Sequence, residues 1–439
     1  MLGCIKTDKI STAIYKKKLS LCCILAMLSP ALYASPWLEA KDPFLRSSIV
    51  LLSDSGSISS PMGHYPMRWS LFGDDLSQVS PSVARFVATA ANELQYTLNS
   101  ARLNRGNRSA KFMLANEQPT MSEYGQFSQN EWGGLASYEY LENDFAFRLS
   151  SGYAKHNDDE EISWQNSYIS FNAGEWLLSI GNLERWWGQG WQHNLTVSSD
   201  GNSNPDISAS YINESQLLGI WSVESFIAKP DHATLDYHSG TRITTKPLDK
   251  LSFGITYQTW FDNSDFGQRD DQLTVDAKLT LPKLALSSEN ALYHNIYAEF
   301  ASSNDLASSN DLSQVGAWLM GWTGSFAVGL NTVRVVLESQ QSTEHHTSDL
   351  TETVSANTYA MDESYSVAVY LQLHNDHNLS ISYRQSDYEQ QQSNISQVNY
   401  RLPALAGMAH VGLSYVESTG SASSEDDQTT LWTGYEFRF

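Results

Sequence analysis

Leu431-Trp432-Thr433-Gly434-Tyr435-Glu436-Phe437-Arg438-Phe439 is the stretch on which the fold turns. Side chains of an extended strand alternate between two faces. Leu431, Thr433, Tyr435, Phe437 and Phe439 therefore share a largely apolar face, and Trp432, Gly434, Glu436 and Arg438 share the other. The same period recurs upstream. Tyr365, Val367, Val369, Leu371 and Leu373 alternate with Ser366, Ala368, Tyr370, Gln372 and His374, and Phe253, Ile255, Tyr257, Thr259 and Phe261 with Ser252, Gly254, Thr256, Gln258 and Trp260. A soluble sandwich gives the same alternation. Strands of about 9–11 residues, alternately short and long connections and a closing aromatic strand favour strands that cross a bilayer.

Counting back from Phe439 as a periplasmic end sorts the connections. Ser418–Gln428, Tyr388–Asn394, Ser339–Glu363, Ser302–Ser313 and Asp262–Asp271 fall outside the cell and are long, acidic or Ser/Asn-rich. Leu402–Gly407, Asn375–Asn378, Trp322–Ser325, Ser287–Asn290 and Lys246–Lys250 fall inside as turns. The repeat Ser302-Ser303-Asn304-Asp305-Leu306-Ala307, copied from Ser308 to Leu312, is a duplication at a loop tip. At ~18–20 residues per strand and connection, residues 108–439 hold about 16–18 antiparallel strands.

The first residues read as a leader. Lys16, Lys17 and Lys18 precede the apolar run Leu19–Leu28, which is shorter than the ~20 residues a membrane helix needs. Pro30 breaks the run, and cleavage is expected after Ala34, making residues 1–34 a signal peptide. Cys4, Cys22 and Cys23 lie within it, so the mature chain has no disulfide, thiolate metal site or cysteine nucleophile. The leader carries five lysines against Asp8, and without it the formal charge of −22 becomes −26. Such acidity argues against nucleic acid and anionic lipid headgroups as direct partners, since both need basic patches. An aromatic content of 12%, with 13 Trp and 22 Tyr, excludes a disordered acidic chain.

Residues 35–107 carry helical rather than strand periodicity. Asp42-Pro43 has the cap-then-proline order of a helix start; Leu45, Ile49 and Leu52 follow at helical spacing and Gly56 ends the element. Ser80-Pro81 opens a second helix, running to Arg105, with Val83, Phe86, Val87, Ala90, Ala91, Leu94 and Leu98 as its apolar stripe. Two readings stand: a helical plug at the periplasmic mouth of a barrel formed by residues 108–439, or a separate periplasmic domain.

Signatures of chemistry are absent. There is no G-x-S-x-G, H-E-x-x-H or P-loop pattern. His345-His346 reads as solvated loop, and Asp158-Asp159-Glu160-Glu161 as a solvated charge run, with Ca²⁺ binding as its alternative. No cofactor, metal or catalytic residue is expected. One cluster stands apart: Glu184-Arg185-Trp186-Trp187-Gly188-Gln189-Gly190-Trp191. Indole faces stack on the C–H faces of sugars, and Glu184, Arg185, Gln189, Gln192 and His193 offer hydrogen bonds beside them. An interface girdle or a packed turn inside the barrel uses the same residues. Counting forward from turns at Leu141–Asp144 and Asn172–Gly174 puts the cluster on the outer side.

Two blocks carry a resemblance. Trp37-Leu38-Glu39-Ala40-Lys41-Asp42-Pro43, with Leu45-Arg46, Leu51–Gly56 and Pro66-Met67-Arg68-Trp69, resembles the N-terminal signature of Wzi-type capsule assembly proteins. Gly181–Trp191, followed by Ser198, Asn202, Asn204 and Pro205, resembles that family's tryptophan-rich signature. The resemblance implies an all-β transmembrane barrel of about eighteen strands in the bacterial outer membrane, closed at the periplasmic end by an N-terminal helical bundle. It implies a lectin-like, non-catalytic protein that organises capsular or related exopolysaccharide; a monomer with outer-membrane lipid around it is expected. Glu184, Arg185, Trp186, Trp187, Gln189, Trp191 and His193 are the candidate polysaccharide contacts on chemistry. The alternative is a plugged or gated porin for sugars. Acidic outer loops and an acidic glycan attract poorly unless divalent cations bridge them or the glycan is neutral.

Overall fold

The computed structural model describes residues 36–438 except 81–82, 104–106, 120–122, 143, 157–158, 199–203, 231–235, 263–268, 288–289, 303–314, 344–360, 389–390 and 421–426. The leader, Phe439, Asp158, His345, His346, Asn202 and nearly all of the loop repeat lie outside the described residues.

Eighteen antiparallel strands close into a barrel. Gln428–Arg438 seals it against Arg108–Ala115, with Phe437 opposite Ala110 and Trp432 opposite Ala115. Two strands are interrupted. Asp159–Ser163 and Tyr168–Ala173 both pair with Phe145–His156, and Arg269–Thr280 and Leu284–Ala285 both pair with Ala291–Ser302. Short turns at 174–175, 249–250, 329–330 and 405–406 lie at one end, and the long connections at the other. One expected turn is corrected. Trp322–Ser325 lies within the strand Val315–Val328, and the chain reverses at Gly329, whose φ of 63° suits the turn. Gly324 weakens a strand reading locally, but its neighbours continue an uninterrupted ladder to Asn331–Ser342.

The alternation is inverted relative to a soluble protein. Ile255 is 50% exposed and Thr256 0%. Tyr365 and Val367 are exposed while Ser364, Ser366 and Ala368 are buried; Leu431 is exposed while Thr430 and Trp432 are buried. A water-facing sheet would lose about 1.5–3 kcal/mol for each such apolar side chain left outside. Only a hydrocarbon surround makes the pattern favourable, so the barrel spans a membrane, the outer membrane for a closed barrel of this class. No described helix is long and apolar enough to cross.

The polar inward face binds the N-terminal segment. Helix α1, Pro43–Asp54, starts where Asp42 Oδ1 accepts from the amides of Phe44 (2.8 Å) and Leu45 (3.2 Å), and Gly56 follows its end at φ 77°. Wall side chains fasten it from around the lumen. Lys278 Nζ pairs with Asp54 at 2.8 Å and Asn295 Nδ2 donates to the same carboxylate at 2.7 Å. Arg334 donates to the Ser47 hydroxyl and carbonyl, both at 2.9 Å. Arg401 pairs with Asp42 at 2.6 Å, and Lys246 donates to the Ile58 carbonyl at 2.7 Å. A short helix α2, Gly73–Ser77, follows. Helix α3, Arg85–Arg102, starts four residues later than a cap at Ser80 predicts, with Ala84 at the cap position and no side-chain cap bond. Phe86, Val87, Ala90, Ala91, Leu94 and Leu98 pack into one core with Ile49, Leu51 and Leu52 of α1.

Candidate functional site

The strand Trp176–Asn182 rises from the periplasmic turn at 174–175, and the chain then bends inward at Leu183 before the next wall strand begins at Pro205. The tryptophan segment therefore leaves from the outer end, as forward counting expects, but folds down into the lumen. There Trp186-Trp187 forms the centre of a three-stranded sheet, with Val197-Ser198 on one side and His64-Tyr65 of the N-terminal segment on the other. Two glycines let the chains cross closely. Gly188 has φ 117°, and a Cβ there would lie 2.6 Å from a Glu299 oxygen; Gly63 has φ 89° and abuts the Gln189 side chain. The amide of Gly188 donates to the Gly63 carbonyl at 2.9 Å.

Two wall carboxylates hold the segment by its backbone. Glu299 accepts from the amides of Gln189, Gly190 (2.9 Å) and Leu195 (3.2 Å). Glu338 accepts from the amides of Trp191 (2.5 Å), Gln192 (2.9 Å) and His193 (3.0 Å), and from the Tyr297 hydroxyl (2.5 Å). Buried amides and buried carboxylates each satisfy what the other would otherwise leave unpaired. Arg185 is clamped by Asp206, with two bonds of 2.9 Å, and by Glu224 at 3.0 Å, which also meets His64 at 2.8 Å. Burial works against the Arg185 charge, but the two carboxylates outweigh it and hold its pKa above the ordinary value. Burial lowers the pKa of His193 against the pull of Glu338, and raises that of Glu184.

The indoles pack against protein rings. Trp187 meets Phe226 and His64 edge-on with centroids 5.2 and 5.3 Å apart. Trp186 lies edge-on to Tyr124 and donates Nε1 to the Gly190 carbonyl at 2.9 Å. Trp191 is 1% exposed beside Tyr370, with the guanidinium of Arg46 4.4 Å over its ring. Arg46, itself buried, donates to the Gln189 carbonyl at 2.9 Å and sits 4.2 Å over Tyr124. Of the seven candidates, Arg185, Trp186, Trp187, Gln189, Trp191 and His193 are buried and Glu184 is half-buried. As folded, the three indoles offer no free ring face at the surface. What the arrangement does is join, inside the barrel, an outer connection to an N-terminal segment more than 100 residues away. Among the described residues no group of three or more metal-ligating side chains converges.

Sequence reading missed the partners: Arg46, His64, Tyr65, Tyr124, Glu224, Glu299 and Glu338. The signal for the wall residues was present. Each carboxylate occupies the polar face of a period-two strand, where an acidic side chain needs a partner or water. Nothing in the chain order links Glu299 or Glu338 to residues 189–195.

The fold and its filled lumen define an outer-membrane barrel closed by its own chain. Residues 101–262, which include the tryptophan segment, match the family model described as capsule assembly protein Wzi. The barrel is similar to Wzi of Escherichia coli, an outer-membrane protein involved in group 1 capsule assembly and described as a carbohydrate-binding β-barrel. The TM-score is 0.73 at 16% identity, over 92% of this chain and 99% of that one. This likeness establishes the fold. Pseudomonas aeruginosa OccK3 (TM-score 0.48, 10% identity, 76% of this chain and 94% of that one) and OprD (0.48, 9%, 76% and 93%) are more distant, and nothing is drawn from them. No curated protein matches by sequence.

Proposed function

We propose that this chain attaches or organises capsular or related exopolysaccharide at the cell surface, as a non-catalytic, lectin-like monomer whose lumen is shut. The observation that carries the reading is the closure itself. Trp186-Trp187 and His64-Tyr65 form a sheet across the lumen, in a chain whose residues 101–262 match the capsule assembly family. A blocked barrel acts at its outer mouth rather than by passage. The Escherichia coli barrel of the same fold binds carbohydrate, and this chain is read as doing so too. Residues 35–107 serve as the plug. Glu184, Arg185, Trp186, Trp187, Gln189, Trp191 and His193 are read as shaping the floor on which the glycan-facing loops rest.

The test is deletion of the gene with measurement of cell-bound against released polysaccharide. Polysaccharide shifts to the medium if the reading holds. Complementation with Trp186→Ala/Trp187→Ala/Trp191→Ala leaves barrel levels normal and retention reduced. Steady large conductance of the wild type in planar bilayers would instead favour the porin reading.

A further inference from the structure

Where helix α1, residues 62–65 and the tryptophan segment meet inside the barrel, they leave a small cavity against the wall. Arg46, Tyr65, Gln189 and Trp191 bound it on the inner side, and Lys278 and Asn295 on the wall side. Every one of its lining residues is buried. The centre of a water-sized sphere has about 10 Å³ in which to lie, about what one small species needs. The polar atoms that face each other here are lopsided. Nε and Nη1 of Arg46 and the Tyr65 hydroxyl are donors without a protein partner, and Lys278 Nζ has only the Asp54 carboxylate, at 2.8 Å. Of the unpaired atoms, Asn295 Oδ1 alone can only accept. The charges are lopsided in the same direction. Arg334, which donates to Thr323 of the cavity wall at 2.8 Å, adds a third cation to Arg46 and Lys278. Of the three, only Lys278 has a carboxylate, and Asn295 Nδ2 takes the other oxygen of that carboxylate at 2.7 Å. Neither guanidinium forms an ion pair among the described residues: Arg46 donates to the Gln189 carbonyl and Arg334 to Ser47. Neighbouring carboxylates are committed, Glu299 and Glu338 to backbone amides and Asp276 to Arg242 at 2.7 Å, and none of them lines the cavity.

We infer that this cavity binds one small monovalent anion of the halide class, chloride in the cell's surroundings, held by Arg46, Lys278 and Tyr65. A water molecule there would satisfy the hydrogen bonds but leave the buried cations without a counter-charge; a halide supplies both. The rings of Tyr124 and Trp191, 4.2 and 4.4 Å from the Arg46 guanidinium, ease its burial without cancelling its charge. The room available excludes sulfate, phosphate and carboxylates, which are several atoms across. Its three holders come from helix α1, from the strand that pairs with Trp186-Trp187 and from the wall strand Arg269–Thr280. One ion therefore ties the N-terminal segment to the barrel at the point where the tryptophan segment lies on it.

The test uses the full-length barrel purified from outer membranes in detergent. Crystals soaked in sodium bromide should give one anomalous peak inside the barrel, within hydrogen-bond reach of Arg46 and Lys278. In solution, after equilibration, the temperature midpoint of heat-modifiable migration should rise with chloride and saturate. Gluconate at equal ionic strength, too large for the cavity, should not raise it. Tyr65→Phe, which removes one donor to a charged acceptor, should raise the chloride concentration needed about tenfold. Arg46→Gln should abolish the halide dependence. Equal midpoints in chloride and gluconate overturn the inference, as does density at the site with no bromide signal, which is water. A bromide peak with a halide-independent midpoint is binding at crystal concentration only and also overturns it. Should Arg46→Gln fail to assemble, Tyr65→Phe decides, and an unchanged chloride requirement in it overturns the assignment.

Discussion

Removing the two carboxylates that hold the tryptophan segment should unseat it. Glu338 accepts three consecutive backbone amides, Trp191, Gln192 and His193, and Glu299 accepts three more from the same segment. A hydrogen bond to a charged acceptor contributes about 1.5–3 kcal/mol, so each glutamate anchors a gross ~5–9 kcal/mol. Released amides recover part of this from water, and the net cost of either Glu→Ala change is about 3–5 kcal/mol. One anchor still remains in each single variant, together with the Arg185 clamp and the sheet to His64-Tyr65. Glu299→Ala and Glu338→Ala alone therefore leave the segment mostly docked, and the double variant releases it, with an effect larger than the sum. Release is read by fluorescence. Emission of the buried Trp186, Trp187 and Trp191 shifts to the red, while helix α1 keeps its own fasteners at Lys278, Asn295, Arg334 and Arg401. Glu338→Gln, which keeps the shape and loses the charge, falls between wild type and alanine. A double variant that assembles as a heat-modifiable barrel with unchanged emission would refute the anchoring argument.

Other expectations concern the N-terminal part of the chain. Burial pushes the Glu93 carboxyl of α3 up to about 7, with the Ser48 hydroxyl 2.7 Å away opposing the shift. A raised carboxyl binds its proton more tightly in the docked state, so this contribution is complete below the free value near 4.5 and is lost as pH rises through about 7. Protection factors of α3, corrected for the intrinsic rise of amide exchange with pH, should be higher at pH 5 than at pH 8, and Glu93→Gln should remove the difference; equal protection in the wild type at both values refutes the assignment. Asp42→Ala deletes the cap of α1 and its ion pair with Arg401, and should lower protection of the first turn by about 1–2 kcal/mol. Mass spectrometry of the mature protein should place its first residue at Ser35; a mass that retains Cys22 and Cys23 contradicts the leader reading.

Much of the wall was legible because a bilayer imposes one period on every strand. Phe253–Phe261, Tyr365–Leu373 and Leu431–Phe437 sort into faces by alternation alone. The same rule failed at Trp322–Ser325, where a glycine and two hydroxyl residues mimic a turn but the ladder needs strand. Helix α1 was legible at both ends because its signals are local: Asp42 before Pro43, and Gly56 after the last turn. The start of α3 was not, since Ser80-Pro81 offers a cap that the chain does not use. The luminal site was half legible. The concentration of indoles between glycines marked Glu184–Trp191 as unusual, but its partners are set by barrel closure, which brings Arg46, Glu299 and Glu338 to it from distant parts of the chain. Local sequence says what a residue prefers as a neighbour, not which neighbour closure supplies.

The fasteners of helix α1 imply an order of events. Residues 43–54 leave the ribosome early, yet the side chains that grip them come from Lys246, Lys278, Asn295, Arg334 and finally Arg401. Until the strand Gln391–Ala404 is in place, Asp42 has no Arg401, and a half-built sheet offers the helix only part of its grip. The first segment made is thus the last to be secured, and its docking reports that the wall behind it is complete. A cell that exports this barrel unfinished would expose an unfastened N-terminal segment to periplasmic proteases, while a finished one hides it.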